Sequence, residues 1–203
     1  MNELKEKCGI VGIYGTKLPV SRLIFFALFS LQHRGQEASG ITTNDGDKLH
    51  THKGTGLVSQ VYKEKDIKKL HGYIGIGHNR YSTSGGGALD HAQPIVNNNF
   101  SFALAHNGNL PSVTSLVKFL KSKKILKKER SDSELITDAI DFYLKEGDTL
   151  PEAVKKVFPL MTGAFSITMM TKDTLIAELL SSSKHYIVCY PKLSSNLGVR
   201  QTA

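Results

Sequence analysis

Cys8 opens the stretch "CGIVGIYG" and is one of only two cysteines in the chain, the other being Cys189. Beside an apolar strand such a thiol can be a small buried hydrophobe. It can also be a nucleophile, and the short polar leader "MNELKEK" then has a purpose. Its removal would make Cys8 the first residue, whose α-amine, with a pKa near ~7.7–8.0, could act as the base for its own thiol. A thiol attacking a carbonyl needs a developing oxyanion stabilised. "LAHNGNL" (104–110) offers the Asn107 side-chain amide and the Gly108 backbone N–H for that. The same Asn-Gly pair is also a hairpin-turn signal. "GIGHNRYSTSG" (75–85) delivers Arg80 to a strand end and then the hydroxyls of Ser82 and Thr83 into a glycine-rich loop. A guanidinium there is a two-point clamp for a carboxylate, or an ordinary surface arginine. "RSDSELI" (130–136) sets Asp132 in the first turn of a helix, where it favours the helix dipole or pairs with an ammonium group. Taken together, these groups fit a free amino acid with a side-chain carbonyl.

Elements must hold these residues in place. Short β-branched or aromatic runs bounded by glycine or polar residues predict strands over 8–14, 38–43, 73–78, 100–106, 164–170 and 185–190. Apolar residues at helical spacing predict a helix over 21–33, ending near Gly35 as a C-terminal cap. A second is expected over 132–145, started by the Ser131/Glu134 capping box, and a third from Thr149 and Glu152 through Phe158, with Pro151 in its first turn. Strands outnumber helices and come in hairpin-like runs, which favours an α+β architecture with largely antiparallel sheets. The stretch 83–94 is a long loop of the kind that carries function.

Composition limits the rest. With 40% hydrophobic and 22% charged residues in 203, the chain is expected to form one well-cored domain. Part of its net charge of +8 lies in Lys63, Lys65, Lys68 and Lys69, and more in the lysines and arginine of 118–130. The second run alternates with Leu116, Phe119 and Leu120 as a solvated helix face would, without the interleaved aromatics that stack on bases. Nucleic acid is therefore not expected as a partner. Two distant cysteines make neither a disulfide framework nor a metal site, which suggests a reducing, cytoplasmic setting. The strongest apolar run, "LIFFALFSL" (23–31), is about half of the ~20 residues needed to span a membrane.

"CGIVGIYG", "LQHRGQEASGI", "GIGHNRYSTSG", "AQPI", "LAHNGNL" and "SDSELI", in this order, closely resemble the N-terminal glutaminase domain of the glutamine phosphoribosylpyrophosphate amidotransferases. These are class II amidotransferases that begin purine synthesis. The resemblance runs from Cys8 to about Ala177. Glucosamine-6-phosphate synthases, which share the opening cysteine, typically read R-G-Y-D-S and H-T-R-W-A-T where this chain has "RGQEAS" and "HNRYST".

The resemblance implies an N-terminal-nucleophile hydrolase fold, an αββα sandwich of two antiparallel sheets between helical layers. It implies a propeptide, residues 1–7, removed to free Cys8, and a glutaminase domain over 8–177. Cys8 would attack the glutamine amide, with Asn107 and Gly108 as the oxyanion hole. Arg80 and Thr83 would hold the α-carboxylate of L-glutamine and Asp132 its α-amino group, while Arg34 and Gly35 would shape the pocket wall. The ammonia would normally pass to a phosphoribosyltransferase half, for which this chain has no counterpart. Magnesium and a [4Fe–4S] cluster are implied only for that half, so no metal or cofactor is expected here and Cys189 is expected to be inert. After "MTKDTLIA" the family's R-D-P-x-G-x-R-P-L stretch is replaced, so that residues 178–203 are expected to be a divergent tail. The chain is thus expected to be at most a glutaminase, or else a catalytically silent binding remnant.

Overall fold

The computed structural model describes residues 8–81, 89, 91–97, 102–108, 110–126, 130–181 and 184–191, with side chains as far as 179. Thr83, most of the 83–94 loop, the 1–7 leader and the Cys189 side chain lie outside what it describes.

Strands β1 (Gly9–Tyr14), β2 (Ala38–Asn44), β3 (Leu49–Thr55) and β4 (Ile74–Arg80) make one antiparallel sheet in the order β1-β4-β2-β3. Along β4, Gly75 and Gly77 alternate with Ile74 and Ile76. The glycine face lets α1 (Val20–Ser30) lie close, with Ile24 and Leu28 over the glycines. The isoleucine face turns to the second sheet. That sheet is β5 (Ile95–Asn97), β6 (Phe102–Gly108), β7 (Phe165–Met170), β8 (Thr174–Ser181) and β9 (Lys184–Pro191), in chain order and antiparallel throughout.

The inner faces meet in an apolar layer of Ile74, Ile76, Ala103, Ala105, Met170 and Leu175. Helices α2 (Val58–Val61) and α3 (Glu64–Lys69) join α1 over the outside of the first sheet. Three helices, α4 (Thr114–Ser122), α5 (Asp132–Lys145) and α6 (Leu150–Val157), cover the second through residues such as Leu116, Ile136 and Val154 against Phe102 and Leu104. The layers run helix, sheet, sheet, helix, which is the αββα sandwich the sequence led us to expect.

The first helix is shorter than its apolar period suggests. α1 stops at Ser30, and Gln32–Arg34 form a single tight 3-10 turn. Gly35 is therefore no left-handed cap; its φ of −166° is extended. Three strands were not expected from the sequence: β3, β5 and β8. β8 runs unbroken through position 177, where the family pattern was expected to end, and β9 pairs with it from Thr174↔Pro191 to Ser181↔Lys184. Lys118, Lys121, Lys123 and Lys124 are exposed on and just beyond α4, while Leu116 and Leu120 are buried, as a solvated helix face requires. No helix among the described residues is long and apolar enough to cross a membrane.

α5 begins where the capping box placed it. The Ser131 hydroxyl accepts from the Glu134 backbone N–H at 3.3 Å, and the Glu134 carboxylate accepts from the Ser131 N–H at 2.9 Å. This fixes the turn that carries Asp132. Ser131→Ala is expected to cost about 1 kcal/mol, read as a lower urea midpoint with an unchanged slope.

Candidate active site

The leading end of β1 brings Cys8 beside the trailing end of β4, because the last pair of that ladder is Gly9↔Asn79. The Tyr81 backbone N–H donates a hydrogen bond to the Cys8 thiol. Burial pushes this thiol above its ordinary pKa; the Tyr81 bond and the nearby Arg80 and Arg34 cations pull it part of the way back. Arg34, at the end of the 3-10 turn, donates from Nε to the Cys8 carbonyl at 3.1 Å. The early end of α1 makes this reach possible.

Gly35 follows at a very close approach. A Cβ there would stand 2.8 Å from the Asn79 carbonyl oxygen and 2.8 Å from the Arg80 carbonyl carbon, so no side chain fits. Arg80 is buried at the end of β4, its Nε 3.7 Å from the Glu37 carboxylate, and its carbonyl accepts from the Glu37 N–H at 3.1 Å. A buried guanidinium must be matched by negative charge, and Glu37 supplies some of it. Arg34 thus bonds to Cys8, Gly35 packs on the Arg80 backbone, and the Arg80 charge acts on the Cys8 thiol.

Asn107 and Gly108 end β6 and pair with Ser166 and Phe165 of β7. They form no hairpin turn; the chain goes on from β6 toward α4 instead. The Asn107 side chain is buried and makes no hydrogen bond to any described residue, which leaves its amide available as a donor. Gly108 has φ +144° against the Phe165 backbone, a conformation that side chains other than glycine's rarely allow.

His106, one residue earlier, points to the opposite face. Its Nδ1 lies 3.2 Å from the Ser133 hydroxyl and 3.8 Å from Asp132 Oδ2. Burial pushes the His106 pKa down despite the opposing pull of Asp132, so the ring is neutral. Asp132 itself takes the Ser133 backbone N–H on Oδ1 at 2.7 Å and keeps a partly exposed carboxylate.

The two groups share one end of the sandwich. His78, two residues before Arg80, feels the charge of His106, two residues before Gly108. Burial, and after it His106, Arg80 and Lys53, push the His78 pKa down to about 3, so this ring too is neutral.

Of the residues given a site role in the sequence, Thr83 falls outside the description, as does Ser82 beside it. Glu37, Gln93, His106 and Ser133 were not picked out. "RGQEAS", "AQPI", "LAHNGNL" and "SDSELI" held all four, but a polar side chain in a motif does not announce its partner. Among the described residues no group of three or more His, Cys, Asp or Glu side chains is arranged to hold a metal ion.

Comparison with known proteins gives concordant results. The model of the glutamine amidotransferase domain matches residues 78–179. The amidophosphoribosyltransferase of Methanocaldococcus jannaschii is 43% identical over 173 residues, 84% of this chain and 37% of the relative. That of Bacillus subtilis is 38% identical over 180 residues, 87% of this chain and 37% of the relative. A solved structure of the allosteric regulatory enzyme of purine biosynthesis superposes with a TM-score of 0.74 at 37% identity, covering 84% of this chain and 37% of that one. Glutamine phosphoribosylpyrophosphate amidotransferase from B. subtilis, complexed with ADP and GMP, gives 0.71 at 32% identity, covering 89% and 41%. The chain spans little more than a third of the length of these relatives.

The thiol environment has a measurable consequence. Because burial raises the Cys8 pKa, alkylation of the Cys8 peptide by iodoacetamide is expected to rise with pH around a midpoint above that of a free cysteine. Arg80→Gln should move the midpoint higher still, since it removes a cation that favours the thiolate. Mass spectrometry across a pH series measures both.

Proposed function

The chain belongs to the glutamine amidotransferase domain family, and from that premise we propose that it hydrolyses the side-chain amide of L-glutamine with Cys8 as an N-terminal nucleophile. The reading is supported by one observation above all: Arg34 and the Tyr81 N–H bond to Cys8 and Gly35 packs on the Arg80 backbone at the end of one sheet, while Asn107 and Gly108 end β6 of the other.

Loss of residues 1–7 exposes the Cys8 α-amine, which takes the thiol proton as sulfur attacks the carboxamide carbon. The oxyanion accepts hydrogen bonds from the Asn107 amide and the Gly108 N–H, donors already in place before charge develops. Collapse expels ammonia, with the proton returned from the amine, and leaves a thioester. Water then attacks the thioester through the same oxyanion site, releasing glutamate and the free thiol. Arg80, with Thr83, holds the α-carboxylate, and Asp132 holds the α-ammonium. Arg34 fixes the Cys8 backbone, and the bare Gly35 lets the wall close on Arg80.

The glutaminase domain begins at Cys8 and carries its family pattern to residue 177. The ammonia serves formation of phosphoribosylamine in purine synthesis, in the cytoplasm, through a phosphoribosyltransferase half outside residues 1–203. Magnesium and any [4Fe–4S] cluster belong to that half, and no step above passes through them.

After release of residues 1–7, the protein should liberate equimolar glutamate and ammonia from glutamine, and Cys8→Ala should reduce this to background. Persistent activity in Cys8→Ala would sink the reading. Arg80→Gln and Asp132→Asn should each raise KM for glutamine roughly 10–100-fold, as loss of a charge-assisted hydrogen bond of about 1.5–3 kcal/mol implies. Mass spectrometry of the purified chain tests the premise directly. An amino terminus at Cys8 is expected; one that remains at Met1 or Asn2 would leave the proposed base blocked.

A further inference from the structure

We propose that Gln93 is a positioning residue for this site, setting the oxyanion strand and the start of α5 against the carboxylate clamp; the role rests on the glutaminase reading above.

The segment around Gln93 is gripped by both sheets. On the first, Lys53 Nζ donates to the Ala92 carbonyl at 2.8 Å, and the Gln93 carbonyl lies where a side chain on Gly40 of β2 would have to be. On the second, the Gln93 side chain reaches the active end with both of its polar atoms. Its Oε1 accepts the His106 backbone N–H at 2.6 Å, and its Nε2 donates to the Ser133 hydroxyl at 3.1 Å. Ser133 in turn donates to Asp132 Oδ1 at 3.2 Å.

The acceptor contact meets a particular need. The β5–β6 ladder ends at Ile95↔Leu104, so the His106 N–H, two residues on, has no strand partner on that side. A buried backbone N–H left unpaired is costly. The Gln93 amide takes the place of the missing strand and anchors β6 immediately before Asn107 and Gly108. Its other arm anchors the residue next to Asp132. One side chain therefore touches the neighbours of both the oxyanion donors and the ammonium acceptor, while its own backbone is fixed to the sheet that carries Arg80.

The two arms make different predictions. Gln93→Met keeps the length and apolar stem but loses both hydrogen bonds. It is expected to lower kcat about 10-fold or more and to raise KM, in keeping with the large effect of small displacements in a reacting geometry. Gln93→Glu keeps an acceptor for the His106 N–H and loses the donor to Ser133. Its kcat should recover most of the way to wild type while KM for glutamine stays raised, a split that a merely structural role would not produce. Steady-state glutamate release from the chain with Cys8 at its amino terminus measures both constants, with urea midpoints confirming that each variant is folded. If Gln93→Met does not fold, Gln93→Glu and Ser133→Ala carry the test, each expected to raise KM with kcat largely kept.

Folded variants with wild-type kcat and KM would overturn the role, as would equal losses of kcat in Gln93→Met and Gln93→Glu. A wild-type chain that releases no glutamate would overturn the glutaminase reading instead, and this role with it.

Discussion

The apolar layer between the two sheets is the constraint on which the rest of the molecule depends. Ile74 and Ile76 of β4 are fully buried against Ala103 and Ala105 of β6 and Met170 of β7. Each buried isoleucine is worth about 1.5–3 kcal/mol relative to exposure. Because side chains alternate along a strand, seating these residues inward fixes what comes next on the same face. His78 and Arg80 follow Ile76 on β4, and Asn107 follows Ala105 on β6. A one-residue slip of β4 would drive the isoleucines into α1, which needs the glycines there, and leave the glycines between the sheets. The functional side chains share one end of the sandwich because their strands are locked in register by apolar residues further back.

Placing polar groups at the end of a dry layer has electrostatic consequences. Desolvation favours whichever form of a group is neutral. It pushes His78 down to about 3, lowers His106, raises the Cys8 thiol, and pushes Glu178 on β8 up to about 8. Both imidazoles are therefore neutral, His78 between the sheets and His106 toward the start of α5, and the Arg80 guanidinium is balanced by Glu37. A nucleophile in such surroundings is not strongly ionised by its neighbours alone, which is why an amine on the same residue matters to the proposed chemistry.

Much of this was legible along the chain, for local reasons. α5 starts and ends where the capping box and apolar period put it, at Asp132 and Lys145, because both signals act within a few residues. The strands β1, β2, β4, β6, β7 and β9 follow from short β-branched or aromatic runs bounded by glycine or polar residues. The strands that escaped notice lack that signature. β3, "LHTHKGT", is the edge of its sheet and only half-buried, so it carries histidines and a lysine instead of an apolar alternation. β5, at the edge of the other sheet, is three residues long. β8 has a buried Glu178 in its middle and belongs to the sheet only through its neighbours on both sides.

The site divides along the same line. Sequence by itself determined which residue types stand at Cys8, Arg34, Gly35, Arg80, Asn107, Gly108 and Asp132, and those types already pointed to an amino acid with a side-chain carbonyl. Tertiary structure alone decided that Gly35 is bare because the Asn79–Arg80 backbone passes against it, and that Arg34 turns back to the Cys8 carbonyl. It also decided that Asn107 and Gly108 end a strand and make no turn, and that Gln93 replaces a missing strand beside His106. The reason is physical: propensity and capping act over one turn or one strand, whereas burial, close approach and partner choice depend on residues tens of positions away that meet only when the two sheets close.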